Sequence, residues 1–193
     1  MKYIAWIILG VLVLLLLSGF SSYNGLVSKE EGVGKAWGDV ESDYQRRSDL
    51  IPNLVNTVKG YANFEKETLT AVIQARASAT QVKIDANNLT PESLDAFQQA
   101  QGGLSSALGR LLVTVEKYPD LKANQNFLDL QAQLEGTENR INVSRQRFND
   151  AVNEYNVSRR KFPAVLVASL MGFKDKGYFK AAAGSEKAPE VKF

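Results

Sequence analysis

Neither cysteine nor histidine occurs anywhere in the 193 residues. Without thiolate or imidazole there is no disulfide, no cysteine nucleophile, no Ser-His-Asp triad and no zinc or iron site built on those ligands. Most enzyme classes go with them, so the chain is expected to be non-enzymatic and to carry no cofactor. A basic surplus is missing too. One of the 23 Lys and Arg residues, Lys2, precedes the first apolar run, which leaves 22 against 21 acidic groups in the remainder. That balance neutralises no phosphate backbone, and no nucleic-acid partner is expected. The Glu-x-x-His pairs of a di-metal carboxylate bundle cannot be completed, and no two carboxylates show a spacing diagnostic of split pKa values. The glycines at Gly32 and Gly34 lead into Lys35-Ala36 and lack the earlier glycine and the Ser or Thr of a phosphate loop. GGLSS at Gly102 to Ser106 falls inside a helical pattern and reads as a close-packing or flexible spot rather than a phosphate cradle.

Charge is also absent between Lys2 and Lys29, and residues 3–20, YIAWIILGVLVLLLLSGF, are apolar enough to cross roughly 30 Å of hydrocarbon as one helix. The competing reading is a cleaved signal peptide, but the small-x-small pattern is poor around Leu17, Ser18, Gly19 and Phe20. Residues 1–22 are therefore read as an uncleaved anchor. Positive-inside counting sets Lys2 against Lys29 and Lys35 and does not decide the orientation. The short tail before the span resembles a signal-anchor, which puts the rest of the chain outside the cytoplasm.

Beyond residue 22 the apolar residues recur at three and four, and no sustained alternation marks a strand. The fold class expected is all-α: a transmembrane helix followed by an elongated antiparallel four-helix bundle over 23–173, then a flexible tail over 174–193. The first seam runs Tyr23, Leu26, Val33, Trp37, Val40, Tyr44, Ile51, Leu54 and Val58 on one long helix continuing from the anchor. Pro52 should kink that helix near Ser48 to Ile51, and Gly25, Gly32 and Gly34 should soften it. Gly60 stops it, and a second helix carries Leu69, Val72, Ile73 and Ala75 before a loop over 81–89. Thr90, Pro91 and Glu92 cap a third helix with seam Leu94, Phe97, Gln101, Leu104, Leu108, Leu111, Val115 and Tyr118. After Pro119 the last helix carries Phe127, Leu130, Leu134, Ile141, Phe148, Val152 and Tyr155 until Pro163. Trp37, Tyr44, Tyr61 and Tyr155 should be core.

Two groups of residues are candidates for function. The first is polar: Arg46, Arg47, Asp49, Pro52 and Asn53 on the first helix, with Glu138, Asn139, Arg145, Asn149 and Asn153 on the last. Arg47 falls on the seam, where a charge needs a partner such as Glu138 or Asp43. The favoured reading is an internal ion-pair layer that fixes register and satisfies backbone groups freed by Pro52; the sharper one is a notch for a partner's carboxylate or a cell-wall component. The second group is apolar: Phe162, Pro163, Leu166, Leu170 and Phe173 in FPAVLVASLMGF, too short to span. It is read as a segment capping the bundle, or else as a patch touching lipid or a partner.

The stretch RRSDLIPNLVNTVKGYANFEKETL from Arg46 to Leu69, with YNGLV at Tyr23 to Val27 and Ala36-Trp37 before it, resembles the LemA family of bacterial membrane-anchored proteins. The likeness continues through Glu116 to Asn156, then at Phe162-Pro163 and Gly172-Phe173. One departure is Phe64, where the family pattern implies a histidine. The resemblance implies a single-span anchor with an extended helical bundle in the bacterial cytoplasmic membrane, without naming a reaction. The partners expected are the bilayer through residues 3–20, other envelope proteins and, as a homo-oligomer, copies of the chain itself. Gene neighbourhoods in the family imply an adaptor for a membrane protease as the alternative, and a lipid- or small-ligand-binding bundle is a third.

Overall fold

The computed structural model describes residues 2–61 and 65–181, and all of its regular elements are helical. Phe64 and residues 182–193 of the expected tail lie outside the described residues. Helix α1 spans Lys2–Lys59 without a break, α2 Lys66–Gln81, α3 Pro91–Val115, the short α4 Pro119–Lys122, α5 Gln125–Arg160 and α6 Ala164–Met171. At 1.5 Å per residue α1 is roughly 87 Å long.

The first third of α1 is bare. Ile4, Trp6 to Leu9, Val11 to Leu17 and Phe20 are all exposed, and this is the one helix among the described residues long and apolar enough to cross a membrane. From Leu26 onward the same helix buries a stripe. Leu26, Val33, Trp37, Val40, Tyr44, Ile51, Leu54 and Val58 are buried, as the heptad seam predicts, while Tyr23 remains 40% exposed. The glycines at 25, 32 and 34 do not interrupt it.

Ion pairs give the direction of packing. Lys29–Glu154 at 3.3 Å, Asp43–Arg140 at 3.7 Å and Arg47–Glu138 at 2.9 Å run α5 antiparallel to α1. Gln101 to the Ala79 carbonyl at 3.2 Å and Lys117–Glu65 at 3.3 Å do the same for α2 and α3. The capping expected at Thr90 is present: its side chain accepts from the Ser93 N–H, Ser93 answers to the Thr90 N–H, and Pro91 takes the first helical position.

The core falls into two clusters. Ile51, Leu54, Val58, Leu69, Val72, Leu104, Leu111, Val115 and Phe127 make the one far from the apolar run. Val33, Trp37, Val40, Tyr44, Phe97, Ile141, Phe148, Val152 and Tyr155 make the near one. Their aromatic rings meet mostly edge to face, Trp37 with Phe97 at 5.3 Å and Phe148 at 5.6 Å. Ile73, grouped with the second helix's apolar residues, is 44% exposed. Thr137 and Ser144 are buried small residues on α5, each hydroxyl bonded to a carbonyl of its own helix, Gln133 and Ile141.

Candidate functional site

Between the two clusters lies a polar layer centred on Arg47, whose side chain is 3% exposed. Its position on the seam, between Tyr44 and Ile51, forces it inward. Nη1 donates to Glu138 Oε2 and to Ser105 Oγ, both at 2.9 Å, and Nη2 donates to Gln101 Oε1 at 2.7 Å and to the Gln101 carbonyl at 3.3 Å. The guanidinium also lies over the Tyr44 ring at 5.0 Å. Gln101 passes the chain on, its amide reaching the Ala79 carbonyl in the last turn of α2, where no helical donor remains. One arginine thus ties α1 to α3 and α5, and through Gln101 to α2. Burial pushes the Tyr44 phenol up from its usual pKa, partly offset by Arg145 and Arg47.

The carbonyl freed by Pro52 is met elsewhere. Proline has no N–H for the Ser48 carbonyl four residues earlier, and Arg76 Nε of α2 donates to that oxygen at 2.9 Å. The Arg47 layer was expected to serve that purpose; Arg76, which sequence reading passes over, performs it instead.

The other predicted polar residues disperse. Arg46, Asp49, Pro52, Asn53, Asn139 and Asn153 are exposed, with Asp49 accepting from Gln45 at 2.7 Å. Asn139 lines an open groove of about 450 Å³ beside Asp43 and Arg140. Arg145 shares a cleft of about 620 Å³ with Arg47, Glu138, Gln98 and Lys180, but its own bond goes to the C-terminal segment.

That segment corrects the expectation of a free tail from Lys174. Over 174–180 the chain is fastened to α5 by two asparagines seven residues apart. Asn156 donates to the Lys176 carbonyl at 2.9 Å and accepts from its N–H at 3.0 Å, and Asn149 does the same for Phe179 at 3.0 and 2.9 Å. Seven helical residues rise about 10.5 Å, and three extended residues cover about 10 Å, so the two repeats coincide. Arg145 and Gln98 hold the Lys180 carbonyl at 3.0 and 3.1 Å, and the Gly177 N–H donates to the Leu89 carbonyl at 2.8 Å. A Cβ at Gly177 would sit 2.8 Å from the Pro91 nitrogen, so that position admits only glycine without a backbone shift. Phe179 is buried against Phe148 and Trp37, with Arg145 over its ring at 4.7 Å. Lys176 is buried too, its Nζ 2.8 Å from Glu30 Oε1 and 5.9 Å above the Tyr155 ring. Burial pushes the Tyr155 phenol up to about 12, aided by the negative charge of Glu30.

Of the apolar candidates, Leu166 and Leu170 lie on the short helix α6, with Phe162 and Pro163 just before it and Phe173 just after. Helix α6 packs on α1 and α5 through Ala168, and Phe173 meets Tyr23 edge to face at 5.8 Å. Phe162, Leu166 and Leu170 point away from the protein and are exposed, and Pro163 is half-buried. No group of three acidic side chains able to hold a metal ion occurs among the described residues.

The model of the LemA family matches residues 36–193. The chain belongs to the LemA family. Among its relatives, this LemA-family chain is 27% identical over 175 residues to magnetosome protein MamQ 2 of Paramagnetospirillum magneticum, covering 82% of the chain and 64% of the relative. Magnetosome protein MamQ of Magnetospirillum gryphiswaldense is 28% identical over 174 residues, 81% of the chain and 64% of that protein. Protein LemA of Metamycoplasma hominis is 24% identical over 159 residues, 82% of the chain and 69% of that protein. The chain thus spans somewhat under two thirds of the length of the magnetosome relatives.

Proposed function

We propose that this LemA-family chain is a non-enzymatic, single-pass interaction or scaffold protein of the bacterial cytoplasmic membrane, with its helical domain on the extracytoplasmic side. The observation that carries the reading is the single helix α1, bare over its first turns and buried along one stripe from Leu26 to Val58. A helix lacking a break between anchor and core holds the domain upright instead of on a tether. On this reading α1, α2, α3 and α5 close as an antiparallel four-helix bundle with the Arg47 layer at its waist. The side and tip of the rod are then surfaces for other envelope proteins or for further copies of the chain. Polar clefts that contain both signs of charge, such as the one between Arg47 and Lys180, suit recognition better than bond-breaking chemistry.

Extraction of the chain from its native membrane in mild detergent, followed by light scattering and mass spectrometry of the complex, tests this. A defined assembly with another envelope protein, or of this chain with itself, is the expected result. A lone monomer would overturn the scaffold reading, and an active peptidase in the complex would replace it with that of a protease adaptor.

A further inference from the structure

Helix α6, AVLVASLM, has no polar side chain but Ser169 and is eight residues long, about 12 Å. A helix apolar on every face belongs inside a protein or in lipid, and α6 satisfies only one face inside the protein. Ala168 is buried against α1 and α5. On the other side Phe162 is 78%, Leu166 63%, Leu170 80% and Met171 59% exposed. Gly172, at φ 79°, ends the helix in the left-handed conformation, and the chain then turns back so that Phe173 packs on Tyr23.

The bare face of α6 continues directly into the bare run of α1. Leu15, Leu16, Phe20 and Tyr23 form one wall of a cleft of about 500 Å³ whose other wall is Val167 and Leu170. Leu15 lies five residues before Phe20, the last residue of the apolar run, so this wall reaches roughly 8 Å below its end. Helices that lie in a membrane interface bury their apolar face to about 5–10 Å. The charges flanking α6 have the sign that anionic lipid attracts. Arg160 and Lys161 precede it and Lys174 follows it, all exposed, while the neighbouring acid, Asp175, is paired with Arg159 at 2.5 Å.

We propose that α6 is a second membrane contact: it lies in the headgroup–acyl boundary of the anionic bilayer that α1 crosses, with Phe162, Leu166, Leu170 and Met171 in lipid. This rests on α1 spanning that bilayer. Two contacts of different kinds, a span and a surface helix, then fix the depth at which the domain sits, which a single span leaves free.

The absence of cysteine makes the test direct. Spin labels are placed one at a time through Leu166→Cys and Leu170→Cys in the full chain, reconstituted in vesicles of phosphatidylethanolamine and phosphatidylglycerol. Leu14→Cys reports the span and Val143→Cys, on an exposed position of α5, reports water. Collision with oxygen and with a water-soluble nickel chelate is measured for each. Labels at 166 and 170 are expected to lose nickel collisions and gain oxygen collisions, as at 14. Nickel access equal to that at 143 would overturn the proposal by placing α6 in water. Shielding from both reagents would overturn it in favour of a protein partner or second copy on this face. Nickel access at 14 itself would mean that the span is wrong, and the α6 contact with it, so the two failures are told apart.

Discussion

Replacing Arg47 by alanine leaves the buried Gln101 Oε1 without its donor and the Gln101 link to α2 without its anchor, whereas the exposed Glu138 and Ser105 turn to water. With one buried amide oxygen left unsatisfied and no buried charge left unpaired, the expected loss is about 1–3 kcal/mol in a urea titration followed by circular dichroism. Arg47→Lys should recover only part of it, since one ammonium cannot span three acceptors held in different directions. Tyr155 makes a different prediction. Its phenol titrates near 12 in the fold and near 10 when unfolded, so between those values the unfolded chain has lost a proton that the fold keeps. Stability contributed by the neutral phenol is complete below pH 10 and falls as the pH rises toward 12, with a slope approaching about 1.4 kcal/mol per pH unit. Tyr155→Phe should remove this alkaline component, at the cost of the bond to the Lys174 carbonyl, and comparison of the two proteins' melts from pH 9 to 11.5 checks it.

At the scale of the element, Pro52 and Arg76 should behave as a coupled pair. Arg76→Ala leaves the buried Ser48 carbonyl without its donor, which costs about 1–3 kcal/mol. Pro52→Ala supplies the missing helical N–H, so the same Arg76→Ala change should cost less in that background, and a double-mutant cycle in urea measures the difference. Equal costs in the two backgrounds would mean that Arg76 acts through packing alone. The helices themselves were legible because their signals are local. The seam of α1 repeats within a few turns, and Thr90-Pro91-Glu92 announces α3 within three residues. The fastening of residues 174–180 was not legible for the opposite reason. Lys, Gly and Asp in a row have the composition of a linker, and what makes Lys176 a buried residue is Glu30 at the other end of the chain. The one local hint is the seven-residue spacing of Asn149 and Asn156, which puts two amides on one face of α5. Of the polar candidates, Arg47 was readable from its seam position, whereas Arg46 and Asp49, its neighbours in sequence, fall on the solvent side of the same helix.

The whole molecule should stand tall on a membrane. From Ser22 to Lys59, α1 alone rises roughly 55 Å, whereas a domain of packed helices lying flat is about 20–25 Å thick. Neutron reflectometry of the full chain in a supported bilayer should therefore find a protein layer extending about 55 Å from the headgroups. A layer of less than half that height would show that the glycines at 25, 32 and 34 break the helix in the membrane setting.

An unbroken helix shared by anchor and core also makes the molecule a lever. The span tilts when the hydrocarbon is thinner than its apolar length and straightens when it is thicker. With no joint to absorb the change, a tilt of about 10° in the bilayer carries the Gly60 end sideways by about 10 Å. The thickness of the lipid is thereby written into the position of a surface far above it.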